Sequence, residues 1–178
     1  MRTQMLAYGL MAVLTIGQSG LAWGQDHAQL ANGAGISNVS FSPLALRHIV
    51  INTATRTLTL YEGDHALAHY PVGVGRPGFA TPAGHFQVIR MIENPGWENP
   101  YQPVKTRVKV GPGSDNPLGT RWIGFLWDGK GEYGIHGTNM PASVGKYSSH
   151  GCVRMYVKDA EALYSQIEMG TPVDVVSR

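Results

Sequence analysis

The stretch Arg47-His48-Ile49-Val50-Ile51-Asn52, together with the segment Arg56–Tyr61 that follows it closely, decides the fold of this 178-residue chain. Both segments are rich in β-branched residues, and the second alternates polar with apolar side chains, as a half-buried strand does. The three residues between them, Thr53–Thr55, are polar or small and can form a turn. We therefore predict a β-hairpin here and place the start of the folded domain at Arg47.

The rest of the chain also indicates β-structure. Its 23 glycines and 11 prolines favour turns between short strands. Further strands are predicted at Ala66–Val74, Gly84–Ile92, Val104–Val110, Arg121–Trp127, Tyr133–His136 and Val173–Val176. Apolar residues at helical spacing predict one helix that ends before Gly170: Ala160, Leu163, Tyr164 and Ile167. The predicted fold class is mainly β, a mixed β-sandwich or partly closed barrel with a C-terminal packing helix.

The first 24 residues have the features of an export signal. Arg2 supplies a positive start, residues 5–16 are apolar and uncharged, and Ala22-Trp23-Gly24 puts small residues where a signal peptidase reads them. The apolar run is shorter than the roughly 20 residues that a membrane span needs, so no stable span is expected after cleavage. We predict a signal peptide at 1–24, a flexible or loosely packed lead-in at 25–46, and one domain at 47–178.

The charge balance argues against nucleic acid as a partner. The chain has 14 basic and 12 acidic residues, and cleavage after residue 24 removes only Arg2 from this count. The mature chain would then carry 13 basic against 12 acidic residues, close to neutrality. Nucleic-acid-binding domains usually present a strongly basic face.

The single cysteine of the chain, Cys152, lies in the segment Ser148-Ser149-His150-Gly151-Cys152-Val153-Arg154-Met155. One cysteine cannot form an internal disulfide, and an exported protein that keeps a free thiol in an oxidising compartment exposes it to oxidation. Glycine, hydroxyl and imidazole groups around a thiol are typical of a nucleophile rather than of core packing. We therefore predict a functional thiol.

Two histidines could act as the general base that such a thiol needs. His150 is two residues from Cys152, which in an extended segment puts their Cα atoms roughly 6–7 Å apart. His136, in the segment Gly134–Thr138, must be brought to the thiol by the fold, and we favour it over His150. The backbone N–H groups of Gly151 and Cys152 are the predicted donors for the oxyanion that attack creates.

A zinc site is the main metal-dependent alternative. His136, His150 and Cys152 could bind zinc, with His85 or an acidic residue as the fourth ligand. The sequence lacks the His-Glu-x-x-His and paired Cys-x-x-Cys spacings that mark strong zinc sites. We therefore expect neither a metal nor another cofactor.

Two long loops separate the predicted strands. Residues 93–103 are rich in proline and aromatic residues, and we expect this loop to form one wall of a cleft that ends at Cys152. Residues 111–120 form a second connector, for which we favour a structural role.

The ordered motifs resemble the YkuD-type L,D-transpeptidase signature, a histidine followed by Ser/Thr-His-Gly-Cys. The segment 133–138 and the block 149–155 carry the resemblance, and the supporting segments 70–75, 81–86 and 116–119 are similar to the exported ErfK/YbiS branch. The resemblance covers residues 47–176, and the ordered set is far more specific than a bare His-Gly-Cys.

The resemblance implies roles for residues at matching positions. Cys152 would be the nucleophile that forms a thioester, His136 the base and later the acid, and the Gly137 carbonyl the group that orients His136. Arg154 could hold a substrate carboxylate, although a structural salt bridge is the alternative. The resemblance also implies substrate or oxyanion contacts at Thr138, Ser149, His150 and Gly151.

The implied reaction joins peptidoglycan stem peptides in the periplasm of a Gram-negative-type cell. The thiol would attack the third stem residue and expel D-alanine, and an amine of another stem would then form a 3–3 cross-link. Water as acceptor would give L,D-carboxypeptidase activity, and a lysine of an outer-membrane lipoprotein would give an anchoring enzyme. Carbapenems typically acylate members of this family. A non-catalytic wall-binding domain is the alternative from a different functional class.

Overall fold

The computed structural model describes residues 46–177, so the predicted signal peptide and residues 25–45 of the lead-in lie outside the described residues. Thirteen strands and one α-helix, α1 at Val157–Tyr164, follow in chain order. The strands are β1 Arg47–Asn52, β2 Thr57–Glu62, β3 His65–Pro71, β4 Val74–Gly75, β5 Gly84–Gln87, β6 Arg90–Glu93, β7 Trp97–Glu98, β8 Lys109–Val110, β9 Arg121–Trp127, β10 Glu132–His136, β11 Tyr147–Ser149, β12 Val153–Arg154 and β13 Pro172–Val176.

Within these residues, no helix combines the length and the apolar character that crossing a membrane requires.

The larger sheet has the strand order β3-β2-β1-β13-β5. Its first hairpin confirms the prediction, because β1 and β2 pair antiparallel with Arg47 opposite Glu62 and Asn52 opposite Thr57. β13 joins β1 in parallel, whereas the other pairs are antiparallel, so the sheet is mixed.

The second sheet has the order β12-β10-β9-β6 and carries the candidate site. β10 pairs antiparallel with β9 and parallel with β12. Two short pairs, β11 with β4 and β7 with β8, complete the strand pairing. Both larger sheets have open ends, so the pairing follows a sandwich and does not close into a barrel among the described residues.

The two larger sheets share one apolar core. Ile49, Leu60 and Val175 of the first sheet belong to the same buried cluster as Ile123 and Ile135 of the second. The rings of Phe86 and Phe125 meet across the interface at 5.4 Å between centroids. Burial of side chains of this size stabilises the fold by roughly 1.5–3 kcal/mol each.

The helix packs against β9 and β10 but is shorter than predicted. Ala160 and Leu163 are buried in the core, as the spacing predicted. The helix ends at Tyr164, and Ile167 reaches the core from the following turn. Gly170 instead adopts a φ of +86° and donates its N–H to the Val88 carbonyl at 2.8 Å, which leads the chain into β13.

Two predicted strands are confirmed only in part. The predicted strand Gly84–Ile92 is divided into β5 and β6, which belong to different sheets. The Val88 N–H donates to the Thr171 carbonyl beside the first sheet, whereas the Ile89 N–H donates to the Gly124 carbonyl of the second. The predicted strand Val104–Val110 begins instead as a 3₁₀ turn at Val104–Thr106, and Val104 is 75% exposed. This segment has no buried face, so its β-branched residues do not suffice to make it a strand.

Candidate active site

The parallel pairing of β10 with β12 brings the two predicted halves of the site together. Ile135 lies opposite Val153 and His136 opposite Arg154, and the Met155 N–H donates to the His136 carbonyl at 2.8 Å. Ile135 and Val153 are fully buried in the core. Since successive side chains alternate between faces, His136 and Arg154 point to the outer face of this sheet.

Cys152 and His136 line the same cavity, which has a volume of about 140 Å³. Cys152 also lines a second, larger cavity of about 310 Å³. Cys152 as a whole residue is partly exposed, and it lines both cavities. The fold thus brings a thiol and a histidine that are sixteen residues apart in sequence to the same cavity.

His136 is held as a neutral imidazole with one nitrogen available. Its Nδ1–H donates to the Gly137 carbonyl, which leaves Nε2 as the acceptor nitrogen of the ring. Burial lowers the pKa of His136 to about 4, a shift that the Gly137 carbonyl opposes and the Arg154 charge reinforces. The Trp122 ring stacks on the imidazole at 5.7 Å between centroids and fixes its plane.

The thiol of Cys152 is also neutral at rest. Burial raises its pKa, whereas the Gly134 N–H and the Arg154 guanidinium act in the opposite direction. The S–H group is directed at the Glu132 carbonyl, with 3.9 Å between sulfur and oxygen. Because the histidine pKa is low and the thiol pKa is high, the site favours thiol and imidazole over a resting thiolate–imidazolium pair.

A tight turn delivers Cys152 to this position. The Ser149 hydroxyl donates to the Cys152 carbonyl at 2.5 Å and accepts the Gly151 N–H at 3.0 Å. Gly151 has a φ of +120°, and a Cβ there would lie 2.5 Å from Cε1 of Tyr133. The prediction that the Gly151 N–H is an oxyanion donor is corrected, because that N–H already binds Ser149. The Cys152 N–H is the remaining predicted donor.

His150 is occupied by contacts of its own. Nη2 of Arg76 donates to His150 Nε2 at 2.6 Å, and the rings of Phe79 and Tyr101 contact the imidazole at 4.7 and 4.4 Å between centroids. Burial, followed by the charges of Arg76 and Arg154, lowers the pKa of His150. An Nε2 that accepts from a guanidinium is poorly placed to take a thiol proton, which favours His136 over His150.

Arg154 lines the smaller cavity without a carboxylate partner. Its backbone forms a reciprocal bridge with Gly73, at 2.8 and 2.7 Å. Burial is the main cause that lowers the pKa of its guanidinium. Among residues 46–177 no Asp or Glu side chain pairs with Arg154, so the salt-bridge alternative has no partner there.

Thr138 does not have the predicted contact with the substrate site. Its side chain is buried, and its hydroxyl accepts the Met140 N–H at 3.1 Å. It is not among the lining residues of either cavity. We therefore correct its role to that of holding the turn after His136.

The two long loops both reach the site. The loop at 93–103 forms one wall of the larger cavity, as predicted, through Pro95, Gly96, Trp97, Glu98 and Pro100. The loop at 111–120 was expected to be structural, yet its Leu118 lines both cavities. Asn116 joins the loops, because its fully buried side-chain amide donates to the Pro95 carbonyl at 2.6 Å and to the Gly111 carbonyl at 3.0 Å.

The zinc alternative can be compared with the positions of its proposed ligands. His85 lies on β5, where its Nδ1 is 2.6 Å from Oδ1 of Asp174. In the part of the chain that the structure describes, no three His, Cys, Asp or Glu side chains are grouped as metal ligands would be.

Comparison with protein-family models shows which family this domain belongs to. The model of the YkuD family, described as the L,D-transpeptidase catalytic domain, matches residues 46–175. The chain belongs to this family. YqjB from Bacillus subtilis, named as an L,D-transpeptidase, is 38% identical over 130 residues, which are 71% of this chain and 69% of YqjB. YbiS from Escherichia coli K12, named in the same way, is 33% identical over 142 residues, 72% of this chain and 44% of YbiS. The chain thus spans less than half of YbiS.

Solved structures share the fold of this YkuD-family domain. L,D-transpeptidase 3 from Mycobacterium tuberculosis, in complex with a faropenem-derived adduct, superposes with a TM-score of 0.62 at 18% identity. The match covers 74% of this chain and 60% of that one. LdtMt1 in complex with imipenem superposes with a TM-score of 0.61 at 18% identity, over 74% of this chain and 59% of its own.

Several residues of this YkuD-family site were not predicted from the sequence. Trp122 and Glu132 approach Cys152 or His136 only through strand pairing, and Arg76 does so through its bond to His150. Gly134 has no predicted role, yet its backbone acts to lower the pKa of the Cys152 thiol, and a Cβ on it would lie 2.7 Å from the Trp122 ring. None of these residues belongs to a sequence motif that by itself indicates a catalytic or binding role.

Proposed function

We propose that this protein is a cysteine-dependent peptidoglycan L,D-transpeptidase with Cys152 as nucleophile and His136 as general base and acid. One observation carries the proposal. Cys152 and His136 line one open cavity, and the Gly137 carbonyl binds the Nδ1–H of His136, so that Nε2 is the nitrogen that can take a proton. A neutral base with a free nitrogen beside a neutral thiol suits a reaction in which proton transfer accompanies attack.

Acylation begins with attack of the Cys152 sulfur on the carbonyl of the third stem residue. The S–H proton passes to Nε2 of His136, and the carbonyl oxygen becomes an oxyanion for which the Cys152 N–H is the proposed donor. When the tetrahedral intermediate collapses, the C–N bond breaks and the His136 proton moves to the leaving amine of D-alanine. A thioester and a neutral imidazole remain.

Transfer then reverses the proton path. A neutral amine of a second stem attacks the thioester carbonyl, the C–N bond forms, and the C–S bond breaks. His136 accepts a proton from the amine and returns it to the departing sulfur. The product is a 3–3 cross-link, and the enzyme regains its thiol. Water in place of the amine would give L,D-carboxypeptidase activity. A lysine of an outer-membrane lipoprotein as acceptor would attach that lipoprotein to peptidoglycan.

Arg154 is the proposed ligand for a substrate carboxylate. The smaller cavity holds Arg154 beside Cys152 and His136, and no acidic residue lines it. The departing D-alanine carries a carboxylate next to the amine that His136 protonates. A guanidinium without a carboxylate partner supplies a charge-assisted donor for that group.

Mass spectrometry of the purified protein with defined muropeptides tests the proposal. We expect an acyl adduct on Cys152, release of D-alanine and a 3–3 linked product, together with an adduct of a carbapenem on the same residue. Cys152→Ala should fold normally and form neither adduct nor product. A non-catalytic wall-binding domain would bind muropeptides without any adduct, and cross-linking by Cys152→Ala would contradict the cysteine mechanism.

We also propose that the protein is exported, with a signal peptide at 1–24, and acts on stem peptides in the periplasm. The positive residue Arg2, the apolar residues 5–16 and the small residues around Trp23 support export. Cell fractionation and N-terminal sequencing of the mature protein should find it in the periplasmic fraction, beginning at Gln25. A cytoplasmic protein that retains Arg2 would contradict this.

A further inference from the structure

The Trp122 indole that stacks on His136 is itself held by a side chain. Trp122 of β9 lies opposite His136 of β10, and the two rings are inclined by 21° with their centroids 5.7 Å apart. The indole N–H donates to Oε1 of Glu132 at 3.2 Å. Because Trp122 is buried, this N–H needs an acceptor within the protein, and Glu132 supplies it.

The indole spans the distance between Glu132 and His136. Gly134 lies between these two residues on β10. A Cβ on Gly134 would lie 2.7 Å from Cζ2 of Trp122, so the indole ring lies directly over this glycine. A Cβ on Gly124 would lie 2.0 Å from Oε1 of Glu132 and 3.1 Å from the indole nitrogen. The two glycines thus leave the recess in which the indole and the carboxylate meet.

Arg90 fixes the carboxylate in turn. Nε of Arg90, on β6, lies 3.3 Å from the same Oε1 of Glu132. One carboxylate oxygen therefore has two donors, one of them charged, and a charge-assisted contact is stronger than a neutral one. Because this oxygen is already paired within the protein, the ion pair is suited to hold Trp122 rather than to bind a ligand. The contacts run without a break from Arg90 through Glu132 and Trp122 to His136.

Glu132 also acts on the nucleophile. Its backbone carbonyl lies 3.9 Å from the Cys152 sulfur and is the acceptor for the S–H group. Burial raises the pKa of the thiol, and the Glu132 charge acts in the same direction. A protonated thiol reacts only when a base takes its proton, so acylation depends on the orientation of the His136 ring.

We propose that Glu132 is a positioning residue for His136, because its carboxylate holds the Trp122 ring and that ring keeps the imidazole in one plane. The inference rests on the proposed function and deepens it by adding a residue that acts through Trp122. The Gly137 carbonyl binds one edge of the imidazole, and the indole stacks on its face. Loss of the carboxylate leaves the first contact and loosens the second, so Nε2 spends less time in the orientation that proton transfer requires.

The test compares Glu132→Leu with Glu132→Gln. Leucine removes the acceptor for the indole N–H, whereas the glutamine carbonyl retains it. Stopped-flow acylation by imipenem at pH 7, over a range of concentrations, separates the dissociation constant of the non-covalent complex from the first-order acylation rate constant. Glu132→Leu should lower the rate constant about 10- to 100-fold and change the dissociation constant less than about threefold, because a small misplacement of a catalytic group has a cost of this size. Glu132→Gln should retain at least about a third of the wild-type rate constant.

A double-mutant cycle tests whether Glu132 acts through Trp122. Trp122→Phe retains an aromatic ring but removes the indole N–H. In that background Glu132→Leu should lower the rate constant by less than about threefold, because the contact that it breaks is already absent. Glu62→Leu is the matched control, since it breaks the pair between Arg47 and Glu62, which has the same 3.3 Å separation but lies in the other sheet. It should leave acylation unchanged.

Nuclear magnetic resonance of the imidazole reports its orientation without any reaction. In the wild-type protein we expect a slowly exchanging Nδ1–H resonance from His136, because that group is buried and bound to the Gly137 carbonyl. The resonance should broaden or disappear in Glu132→Leu and persist in Glu132→Gln and Glu62→Leu.

A wild-type rate constant in Glu132→Leu would overturn the proposal. An equal loss in the wild-type and Trp122→Phe backgrounds would also overturn it, since Glu132 would then not act through the indole. If Glu132→Leu does not fold, Trp122→Phe decides instead, and a wild-type rate constant together with a wild-type Nδ1–H resonance in that variant overturns the proposal. If imipenem fails to acylate the wild-type protein, the proposed function fails, whereas the His136 resonance still tests the positioning.

Discussion

The imidazole of His136 donates its Nδ1 hydrogen to the backbone carbonyl of Gly137, the next residue in the chain. This bond fixes the tautomer without a carboxylate, so no negative charge raises the histidine pKa against the effect of burial. The ring is therefore a weak base, with a pKa of about 4. Two predictions about pH follow from this value.

The first concerns the rate of acylation. Because His136 stays neutral down to about pH 4, kcat/KM for acylation should remain nearly constant from pH 7 to pH 5 and fall about tenfold per unit only below pH 4. Stopped-flow measurement of imipenem acylation at constant ionic strength would record this profile. An acidic limb centred near 6.5, the ordinary histidine value, would contradict the assignment.

The second concerns stability. The unfolded chain binds a proton at this histidine near pH 6.5 and the folded chain only near pH 4, so the unfolded state holds more protons between these values. The free energy of unfolding should therefore fall by about 3 kcal/mol as the pH drops from above 6.5 to 4. Urea titrations would show this slope.

The variant His136→Asn isolates this contribution, because asparagine does not titrate. Its stability should depend less on pH over the same interval, whatever its stability at pH 7. Equal slopes for the two proteins would show that His136 titrates alike in the folded and unfolded states.

Gly151→Ala should impair both folding and chemistry. The added methyl would lie 2.5 Å from the Tyr133 ring at a backbone φ of +120°, so the turn that carries Cys152 must shift. We expect a loss of about 2–4 kcal/mol in unfolding free energy and at least a tenfold slower imipenem acylation. Gly145→Ala is the control, since Gly145 has a φ of +79° with nothing within 4 Å of the added carbon. If the two variants are acylated at comparable rates, the clash with Tyr133 does not explain the slower acylation of Gly151→Ala.

Asn116→Ala should loosen the walls of the larger cavity. The buried amide binds the Pro95 and Gly111 carbonyls and accepts the Leu118 N–H at 2.8 Å. Its loss leaves buried groups unpaired, which costs about 1–3 kcal/mol each. Amide hydrogen exchange should become faster in residues 93–103 and 111–120, and KM for peptide donors should rise. Asn139→Ala, which removes one exposed bond to the Asp115 carbonyl, should have little effect.

The sequence predicted those features that depend on neighbouring residues. The hairpin at β1 and β2 was visible because both segments are rich in β-branched residues and the second alternates polar with apolar side chains. Cys152 was identified because a lone thiol directly follows a hydroxyl, an imidazole and a glycine in the segment Ser149–Gly151. Both signals are local, so no knowledge of tertiary structure was needed.

Features that depend on strand pairing could not be predicted. Arg90 and Glu132 are 42 residues apart and meet only because β9 lies between their strands without a side chain at Gly124. The strand β12 contains two residues, too few to show any alternation. The bond between Gly151 and Ser149 also depends on turn geometry, which is why the oxyanion prediction failed for that N–H.

The chain passes from the first sheet to the second between Val88 and Ile89, and this passage affects how the protein unfolds. Adjacent residues bond to different layers, Val88 to Thr171 and Ile89 to Gly124, so neither layer can open without disturbing the other. Melting should therefore be a single cooperative event. On heating, far-UV circular dichroism and tryptophan fluorescence should give superimposable curves.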